Sequence, residues 1–340
     1  MSSPAAQRHG VTIKHVAARA GVSWKTVTNV VHNRPNVRAE TRQRVIDAID
    51  ELDYRPDLAA RQLRQGHSQT LTLVVPDILN PYFAMLIKAT FEAASARGYA
   101  VFVESAGLEP RDERQAAASL FRFAFDGVIF HPTHVTPTEL ADIATRQPVV
   151  LVGENLEHAP LDRVSIDNVE AADQMTSHLL AAGRRTVAFL GTRDGPSQPS
   201  GVRLRGYQNA LQRAGIEVRD DLQVDAQDFD HVHGVRGATQ LLAKAPDIDA
   251  IVCVNDVLAI GALKYLRDTG RRVPDDVAVT GWDNVPDSAY TAPPLTTVDA
   301  HVEQIATHTV DLLVKRIADP NRPFQDIVVE HHLVVRNSST

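Results

Sequence analysis

The stretch AGVSWKTVTNVVH, residues 20–32, joins two helical patterns through a single glycine. Gly21 permits a tight backbone turn between two helices, and Ser23 is a preferred N-cap for the second one. Apolar residues recur on one face of this second helix, at Val27, Val30 and Val31. The opposite face carries an aromatic ring, a cation and an amide, on Trp24, Lys25 and Asn29. That mixture is typical of neither a core nor a plain solvated surface, so it predicts contact with another molecule.

Helical patterns flank this stretch on both sides. Thr12 is a suitable N-cap for a helix that ends at Ala20, and the apolar side of this helix comprises Val16, Ala17 and Ala20. A third helix is predicted from about Ala39 to Tyr54, with a buried side of Val45, Ala48, Ile49 and Leu52. Two helices joined by a tight turn, closed by a third, form a helix-turn-helix unit whose second helix enters the major groove of DNA. Residues 10–55 are therefore predicted to bind DNA.

Charge is distributed unevenly along the chain. Residues 1–66 hold 11 Lys and Arg against 6 Asp and Glu, a net charge of +5, within a chain whose net charge is −7. A basic head on an acidic body predicts a polyanionic partner for the head, although a solvated charged surface accounts for the charge alone equally well. The single cysteine, Cys253, favours a reducing compartment, and no apolar run is long enough to span a bilayer. We therefore expect a cytoplasmic protein without membrane contact.

The head contains the segments VAARAGVS, TVTNVV, TRQRVIDAIDELDYRP and LAARQLR. On these segments the head resembles the lactose/galactose-repressor (LacI/GalR) family nearly end to end. The resemblance implies that Trp24, Lys25 and Asn29 select the operator sequence. It also implies that further residues contact phosphates and position the duplex, namely Thr12, Ser23, Thr26, His32 and Thr41. Two residues depart from the family pattern: His15 stands where an acidic residue is usual, and Asp57 stands where asparagine is common.

Residues 56–68 connect the head to the body. By the resemblance they form a hinge helix that orders when two copies meet over the minor groove of DNA. Leu63 would then wedge between base steps and kink the duplex. The alternative is a plain linker, but flexible linkers favour Gly and Ser, whereas DLAARQLR is rich in helix formers. The hinge helix is the favoured interpretation.

The body alternates apolar runs with amphipathic stretches. The runs are TLTLVV, YAVFVE, GVIFHP, PVVLVGE, TVAFLG, DAIVCV and DVAVTG. Continuous apolar strands spaced by helices predict an α/β fold with parallel sheets covered on both faces. The pattern occurs twice, and the layout resembles the two-lobed, periplasmic-binding-protein-like core of the same family, built from doubly wound parallel sheets. We predict a first lobe of about 69–167 and 299–328, and a second of about 168–298 and 329–340. A helix is expected over about 301–318, followed by one last strand within PFQDIVVEHHLVVR.

Ligands in such sheets bind beyond the carboxyl ends of the strands. The resemblance implies hydrogen bonds to a small effector, often a sugar, from Arg203, Asn255 and Asp283. It implies further binding or stacking contacts from Asn80, Tyr82, Phe83 and Trp282. Simpler roles remain open for some of these positions: Asn80 and Asp256 are suitable helix caps, which is the favoured role for Asp256, and Phe83 is suitable for a core.

An enzyme or a metal-binding protein is the alternative to this interpretation. The sequence contains no GxxxxGK[ST] phosphate loop, no strand–GxGxxG–helix fingerprint, no GxSxG elbow and no HExxH pair. The pairs His131/His134 and His331/His332 lack a third ligand at a recognisable spacing, so neither a metal nor a cofactor is expected. A periplasmic solute-binding protein would carry a signal segment and no basic head.

The sequence thus predicts a ligand-responsive transcriptional regulator rather than an enzyme. We expect a repressor that binds a near-palindromic operator in double-stranded DNA as a homodimer. The end VVRNSST lacks the leucine-rich tail of tetrameric relatives, which favours the dimer. A sugar or sugar derivative is the expected effector, and a nucleoside or purine is the alternative. The direction of the effector's action on DNA binding is left open.

Overall fold

The computed structural model describes residues 11–31, 34–54, 67–107, 109–120, 125–153, 160–191 and 199–340. The chain divides into two compact units, residues 1–68 and residues 69–340. The described part of the first unit, the head, contains three helices: α1 (Ile13–Ala20), α2 (Trp24–Val31) and α3 (Ala39–Glu51). The three predicted helices of the head are confirmed. However, α3 ends before Tyr54, because the chain turns at Asp53, whose φ of 44° lies in the left-handed region.

The head has its own small core. Gly21, between α1 and α2, has a φ of 64° and a ψ of 37°, a left-handed conformation that glycine adopts at the least cost. One apolar side of each helix is buried, and together these sides comprise Val16, Ala17, Ala20, Val27, Val30, Val45 and Ala48. Ile49 and Leu52 pack against this cluster and are partly buried. The mixed face of α2 therefore points away from the core, as the periodicity predicts.

The first lobe of the second unit is built on a six-stranded parallel sheet. Its strands are β1 (Thr70–Val75), β2 (Ala100–Ser105), β3 (Gly127–Phe130), β4 (Val149–Val152), β5 (Asp162–Ile166) and β11 (Asp326–Val329). They lie in the order β11-β5-β4-β3-β1-β2. The helices of this lobe are α4 (Pro81–Ser95), α5 (Pro110–Ser119), α6 (Pro137–Ala144) and α11 (Val302–Ala318). The crossovers place the carboxyl ends of the strands at one edge, where ligands of such folds bind.

The second lobe repeats this plan with one exception. Its strands are β6 (Val187–Gly191), β7 (Gln223–Asp225), β8 (Ala250–Cys253), β9 (Ala278–Trp282), β10 (Thr296–Asp299) and β12 (His332–Val334). Its helices are α7 (Asn168–Ala181), α8 (Pro199–Arg213), α9 (His231–Lys244) and α10 (Asp256–Asp268). The strands lie in the order β12-β10-β9-β8-β6-β7, and β12 alone among those described runs antiparallel to its neighbour. The predicted α/β fold with two doubly wound, mainly parallel sheets is confirmed.

The chain crosses between the two sheets three times, after β5, after β10 and after β11. The segment PFQDIVVEHHLVVR was expected to form one last strand, and this expectation is wrong. It forms β11, which pairs with β5 in the first lobe, and then β12, which pairs with β10 in the second. Glu330 and His331 lie between the two strands.

Two close contacts hold helices in place, one in each lobe. The buried Asp162 on β5 accepts a hydrogen bond from Nε of the buried Arg316 on α11 at 2.9 Å. A charge pair removed from water in this way ties α11 to the sheet and is costly to break on one side. Between α7 and α8, a Cβ at Gly206 would lie 2.2 Å from the Val169 carbonyl oxygen. Glycine is therefore required there, and it brings α8 against α7.

None of the helices that the structure describes is both long enough and apolar enough to cross a membrane.

Candidate functional site

The outward face of α2 is organised from its N-terminus. The Ser23 hydroxyl oxygen accepts a hydrogen bond from the Thr26 backbone N–H at 3.2 Å and lies 3.0 Å from the Thr26 hydroxyl oxygen. Ser23 therefore caps α2, as predicted, and the cap and Thr26 hold each other in place. Both residues were predicted to contact phosphates, and a helix N-terminus favours anionic groups.

Trp24 and Lys25 lie next to this cap and face solvent. The Trp24 side chain is 47% exposed, an unusual state for a large ring that could otherwise be buried. The Lys25 ammonium lies 5.9 Å from the centroid of that ring. Asn29, one turn further along α2, is half-buried. The structure thus brings the three predicted base-reading side chains onto one face of one helix.

The remaining predicted DNA contacts are distributed around the head. Thr12 precedes α1 and is exposed, whereas Thr41 lies in the first turn of α3 and is half-buried. His32, Asp57 and Leu63 lie outside the described residues.

His15 has a local structural role. Its Nδ1 accepts a hydrogen bond from the Thr12 backbone N–H at 3.2 Å. A Glu or Gln side chain at this position of a helix usually makes the same reach back to the N-cap. The imidazole therefore replaces the acidic residue that is usual here as a hydrogen-bond acceptor.

The first lobe contributes an aromatic wall beyond the carboxyl ends of β1 and β3. Asn80 caps α4, because its Oδ1 accepts from the Tyr82 backbone N–H at 3.0 Å. The rings of Tyr82 and Phe83 meet edge to face, with centroids 5.2 Å apart. His131, which follows β3, packs against Phe83 at 4.9 Å between ring centroids. Three rings from two elements thus form one surface.

His131 was not among the predicted site residues. Its side chain is buried, and burial followed by the nearby charge of Arg203 lowers the pKa of His131 to about 4. Gly153, which follows β4, leaves room for the ring, since a Cβ there would lie 3.1 Å from His131 Nε2. The strand-end rule that singled out the other positions applies to His131 too, so the signal was present in the sequence.

The second lobe contributes Arg203 from α8. Its Nε donates to Asn168 Oδ1 at 2.8 Å, and its Nη1 donates to the Val254 carbonyl oxygen at 2.5 Å. The guanidinium carbon lies 4.0 Å from the centroid of the Trp282 ring. Arg203 is therefore fixed by two hydrogen bonds and by a cation–π contact. Asn168 is a further residue that the sequence did not single out, and it positions Arg203.

Trp282 was predicted to pack against the effector. It is fully buried at the end of β9, with Arg203 over its ring. An effector cannot stack on the face that the guanidinium covers. In this structure the Trp282 ring packs against the Arg203 guanidinium and is not exposed in the cleft.

The N-cap of α10 is not the residue that the sequence favoured. The cap of α10 is Asn255, whose Oδ1 accepts from the Leu258 backbone N–H at 2.8 Å, so the capping role predicted for Asp256 is wrong. Asn255 Nδ2 also donates to the Phe229 carbonyl oxygen at 3.4 Å, which links the start of α10 to the loop before α9.

Asp256 is buried, and the carboxylate of Asp283 lies nearby. Asp256 Oδ2 accepts from the Val285 backbone N–H at 2.9 Å. Burial, followed by the neighbouring charge of Asp283, raises the pKa of Asp256 well above its ordinary value. Asp283 is itself 6% exposed and has a φ of 100°, which non-glycine residues rarely adopt. Strained, buried carboxylates of this kind are common at functional sites.

A separate cavity of about 320 Å³ lies elsewhere in the second lobe. It is lined by Asp220, Gln223, Val224, Asp225, Gln227, Gln240 and Lys244. It contains none of the predicted effector residues and no aromatic ring, so the cleft with its facing aromatic and cationic walls is the better candidate for a small ligand.

The chain resembles known proteins over its whole length. Residues 12–57 match the family described as "Bacterial regulatory proteins, lacI family", and residues 176–339 match the "Periplasmic binding protein-like domain". The regulator CelR of Thermobifida fusca is 35% identical over 345 residues, which cover 98% of this chain and 99% of the relative. The regulator GalR of Escherichia coli is 33% identical, over 96% of this chain and 95% of the relative.

Solved structures agree with this relationship. A complex of CelR with cellobiose is 32% identical, with a TM-score of 0.72, and the match covers 96% of this chain and 99% of that one. The lac repressor dimer bound to operator and the anti-inducer ONPF shares the fold, with a TM-score of 0.86 at 24% identity over 97% of this chain and 99% of that one. These relatives are more than 30% identical over nearly the whole chain, and the head matches the family model of the DNA-binding domain. The chain therefore belongs to the lacI family of bacterial transcriptional regulators, which bind DNA and are not enzymes.

Proposed function

We propose that the protein is a repressor that binds a near-palindromic operator as a homodimer and responds to a small molecule held between its two lobes. One observation carries the ligand-response part. Arg203 of the second lobe lies close enough to His131 of the first lobe to lower the pKa of that histidine. Groups from both lobes therefore face one space, and a ligand that contacts both walls would favour one relative position of the lobes.

The operator would be read by the exposed face of α2. Lys25 can donate to the O6 and N7 atoms of guanine, and Asn29 can form two hydrogen bonds with adenine. Trp24 supplies apolar contact area beside them. Thr12, Ser23, Thr26, His32 and Thr41 would hold phosphates, which positions the duplex without reading its sequence.

The division of labour follows the chain order. We assign residues 10–55 to DNA binding, 56–68 to a hinge helix with Leu63 as a minor-groove wedge, and 69–340 to effector binding and dimerisation. Two heads related by a two-fold axis require two half-sites, which is the reason for a near-palindromic operator. A regulator of chromosomal operators works in the cytoplasm, and we place the protein there.

A sugar or sugar derivative is the effector that the cleft favours. The guanidinium of Arg203 is held by Asn168, Val254 and the ring of Trp282, so it is preorganised as a planar donor for neighbouring hydroxyl groups. Tyr82 and Phe83 supply apolar surface on the opposite wall. The relative solved with cellobiose supports the same class of ligand. Asn80, Asn255 and Asp283 would complete the polar contacts at the edge of the cleft.

A nucleoside or purine is the second candidate, and the aromatic wall is the observation that favours it. Three rings, those of Tyr82, Phe83 and His131, lie together on the first lobe. A planar base could stack on such a surface. The two classes differ in their need for this wall, because a sugar depends more on the hydrogen bonds from Arg203.

The test combines DNA and ligand binding by the full chain. A gel shift on genomic fragments should show sequence-selective retardation, and equal retardation of all fragments would refute operator recognition. Thermal-shift screening of sugars, sugar phosphates, nucleosides and purines should then identify a ligand, since a molecule that binds only the folded state raises stability by mass action. The ligand found must change operator affinity, and operator must change ligand affinity by the same factor. A ligand that leaves operator affinity unchanged would contradict the proposed response.

A further inference from the structure

A second polar cluster lies where the chain crosses between the lobes. It consists of Asp299 at the end of β10, His301 just before α11, and His332 at the start of β12. One nitrogen or carboxylate oxygen of each residue lies within 4.8 Å of the others. Asp299 is also the register partner of His332 across the β10–β12 pair. Two of the three crossings between the lobes therefore meet at this cluster.

The two imidazoles point nitrogen to nitrogen. His332 Nδ1 lies 3.0 Å from His301 Nε2, so one of the two nitrogens must donate a proton to the other. A metal ion can take the place of that proton. With Zn–N bonds of about 2.0–2.1 Å in a tetrahedral arrangement, two ligand nitrogens lie about 3.3 Å apart, which is close to the spacing found here.

The third residue is a carboxylate that its neighbours hold in place. Asp299 Oδ2 accepts from Asn284 Nδ2 at 3.0 Å, and Oδ1 accepts from the His301 backbone N–H at 2.8 Å. Hydrogen bonds of this kind orient a metal-binding carboxylate. His301 has a φ of 52° and a ψ of 58°, a left-handed conformation that is uncommon for a non-glycine residue.

We propose that Asp299, His301 and His332 bind a transition-metal ion of the Zn²⁺ type, with water in the remaining coordination positions. Two imidazoles and one carboxylate suit Zn²⁺ and Cu²⁺ and are a poor match for Mg²⁺ and Ca²⁺, which prefer oxygen ligands alone. The bound ion links β10 and β12 of the second lobe to the start of α11, a helix of the first lobe. It therefore restricts the movement of one lobe against the other.

Another cluster provides an internal comparison. Asp228, Asp230 and His233 also lie within 4.8 Å of one another. However, Asp230 is the N-cap of α9, and its Oδ1 already accepts from both the backbone N–H and Nδ1 of His233 at 2.8 Å. This cluster offers only one imidazole and stays within one helix end, so it supports no proposal of its own.

The test is isothermal titration of chelator-treated, full-length protein with Zn²⁺. We expect a site with affinity for Zn²⁺ and none for Mg²⁺ at equal concentration. His332→Ala removes an exposed ligand. Loss of a residue that only hydrogen-bonds a metal ligand already weakens metal binding roughly tenfold, so this variant should lose at least as much Zn²⁺ affinity. His301→Asn is the second variant, because asparagine tolerates the left-handed backbone and so preserves the fold. His308→Ala, an exposed histidine on α11, and His233→Ala are the matched controls and should bind Zn²⁺ as the wild type does.

The Zn²⁺ affinities of these variants decide whether the proposed site exists. Unchanged Zn²⁺ affinity in both His332→Ala and His301→Asn would overturn the site, as would loss of binding in His233→Ala alone. Any influence of Zn²⁺ on the effector response rests on the proposed function. Zn²⁺ binding itself does not, so a protein that binds Zn²⁺ and lacks an effector response would contradict only the proposed function.

Discussion

The guanidinium carbon of Arg203 lies 4.0 Å from the centroid of the Trp282 ring. The ring is fully buried, and the cation is also hydrogen-bonded by Asn168 and Val254. A charged group held on three sides loses little freedom when it binds a ligand, which lowers the entropic cost of binding. Under the proposed function, this contact would preorganise Arg203 for an effector, and Trp282 would act without touching the ligand itself.

Replacement of Arg203 by lysine should weaken effector binding while leaving operator affinity of the ligand-free protein unchanged. Lysine keeps the charge but loses the planar donor fork and much of the stacking on Trp282. A cation–π contact and one charged hydrogen bond suggest a loss of about 1–3 kcal/mol in effector binding, roughly tenfold to a hundredfold in Kd. Isothermal titration with the effector from the thermal screen measures this loss. Arg267→Lys, at the far end of α10, is the matched control, and equal affinities in the two variants would place the effector elsewhere.

The stability of the second unit should fall in acid through His131. Burial lowers the pKa of His131 from 6.5 to about 4, so the unfolded chain takes up a proton at a pH where the folded chain does not. This contribution to stability is fully present above pH 6.5 and is lost as the pH falls toward 4. A shift of this size corresponds to about 3 kcal/mol over the whole interval. His131→Gln should remove that part of the slope.

Chemical denaturation of both proteins between neutral pH and pH 4.5 measures this effect. His178 and His331 also have a lowered pKa through burial, so the wild-type curve alone does not isolate His131. The difference between wild type and His131→Gln does. His134→Gln, an exposed neighbour, should follow the wild-type curve. Parallel curves for wild type and His131→Gln would show that His131 titrates normally in the folded protein.

Base reading by α2 should be visible as a loss confined to the cognate operator. Lys25→Ala and Asn29→Ala each remove a side chain that can pair with a base edge, so each should cost about 1–3 kcal/mol on the operator and little on random DNA. Lys14→Ala removes one positive charge from α1 and should weaken binding to both DNAs alike. Titration of labelled duplexes at one salt concentration compares the three variants. Equal losses on both DNAs for Lys25→Ala would reduce that residue to a phosphate contact.

The start of α1 should become more stable when its histidine is replaced by the acidic residue that is usual there. His15→Glu keeps an acceptor for the Thr12 backbone N–H and adds a negative charge near a helix N-terminus, which together suggest a gain of about 0.5–1 kcal/mol. His15→Ala loses the acceptor and should have the opposite effect. Amide hydrogen exchange of residues 13–20 in the full chain reports the local stability directly. Faster exchange in His15→Glu than in wild type would show that the imidazole is the better partner.

Local patterns were sufficient for most elements of the fold. The run TLTLVV coincides with β1 because five of its six residues are buried, and a continuous apolar run is typical of such a strand. By contrast, β7 has only three residues, Gln223–Asp225, which is too short to show a period. The division of the last segment into β11 and β12 was missed for a different reason. Which sheet a strand joins depends on distant partners, and these leave no trace in the strand's own sequence.

The site was only partly accessible to the same reasoning. Strand ends pointed to Asn255 and Asp256, but not to which of the two caps α10. Asn255 caps α10 and Asp256 does not, since the capping residue is the one whose backbone stays extended, here with a φ of −149° and a ψ of 167°. The pairing of His301 with His332 joins residues that are 31 positions apart, and no spacing rule for metal ligands covers it.

The two edge strands that the last segment supplies also set an order on how the protein can form during synthesis. The head draws its described core from residues within 13–54 and needs nothing that is made later. Each sheet of the second unit, by contrast, is complete only after its edge strand, β11 or β12, has been synthesised. Chains grow from the N-terminus at a rate of about 5–20 residues per second, so the head leaves the ribosome many seconds earlier. A nascent chain can thus display a finished three-helix head well before it carries a core able to answer to a ligand.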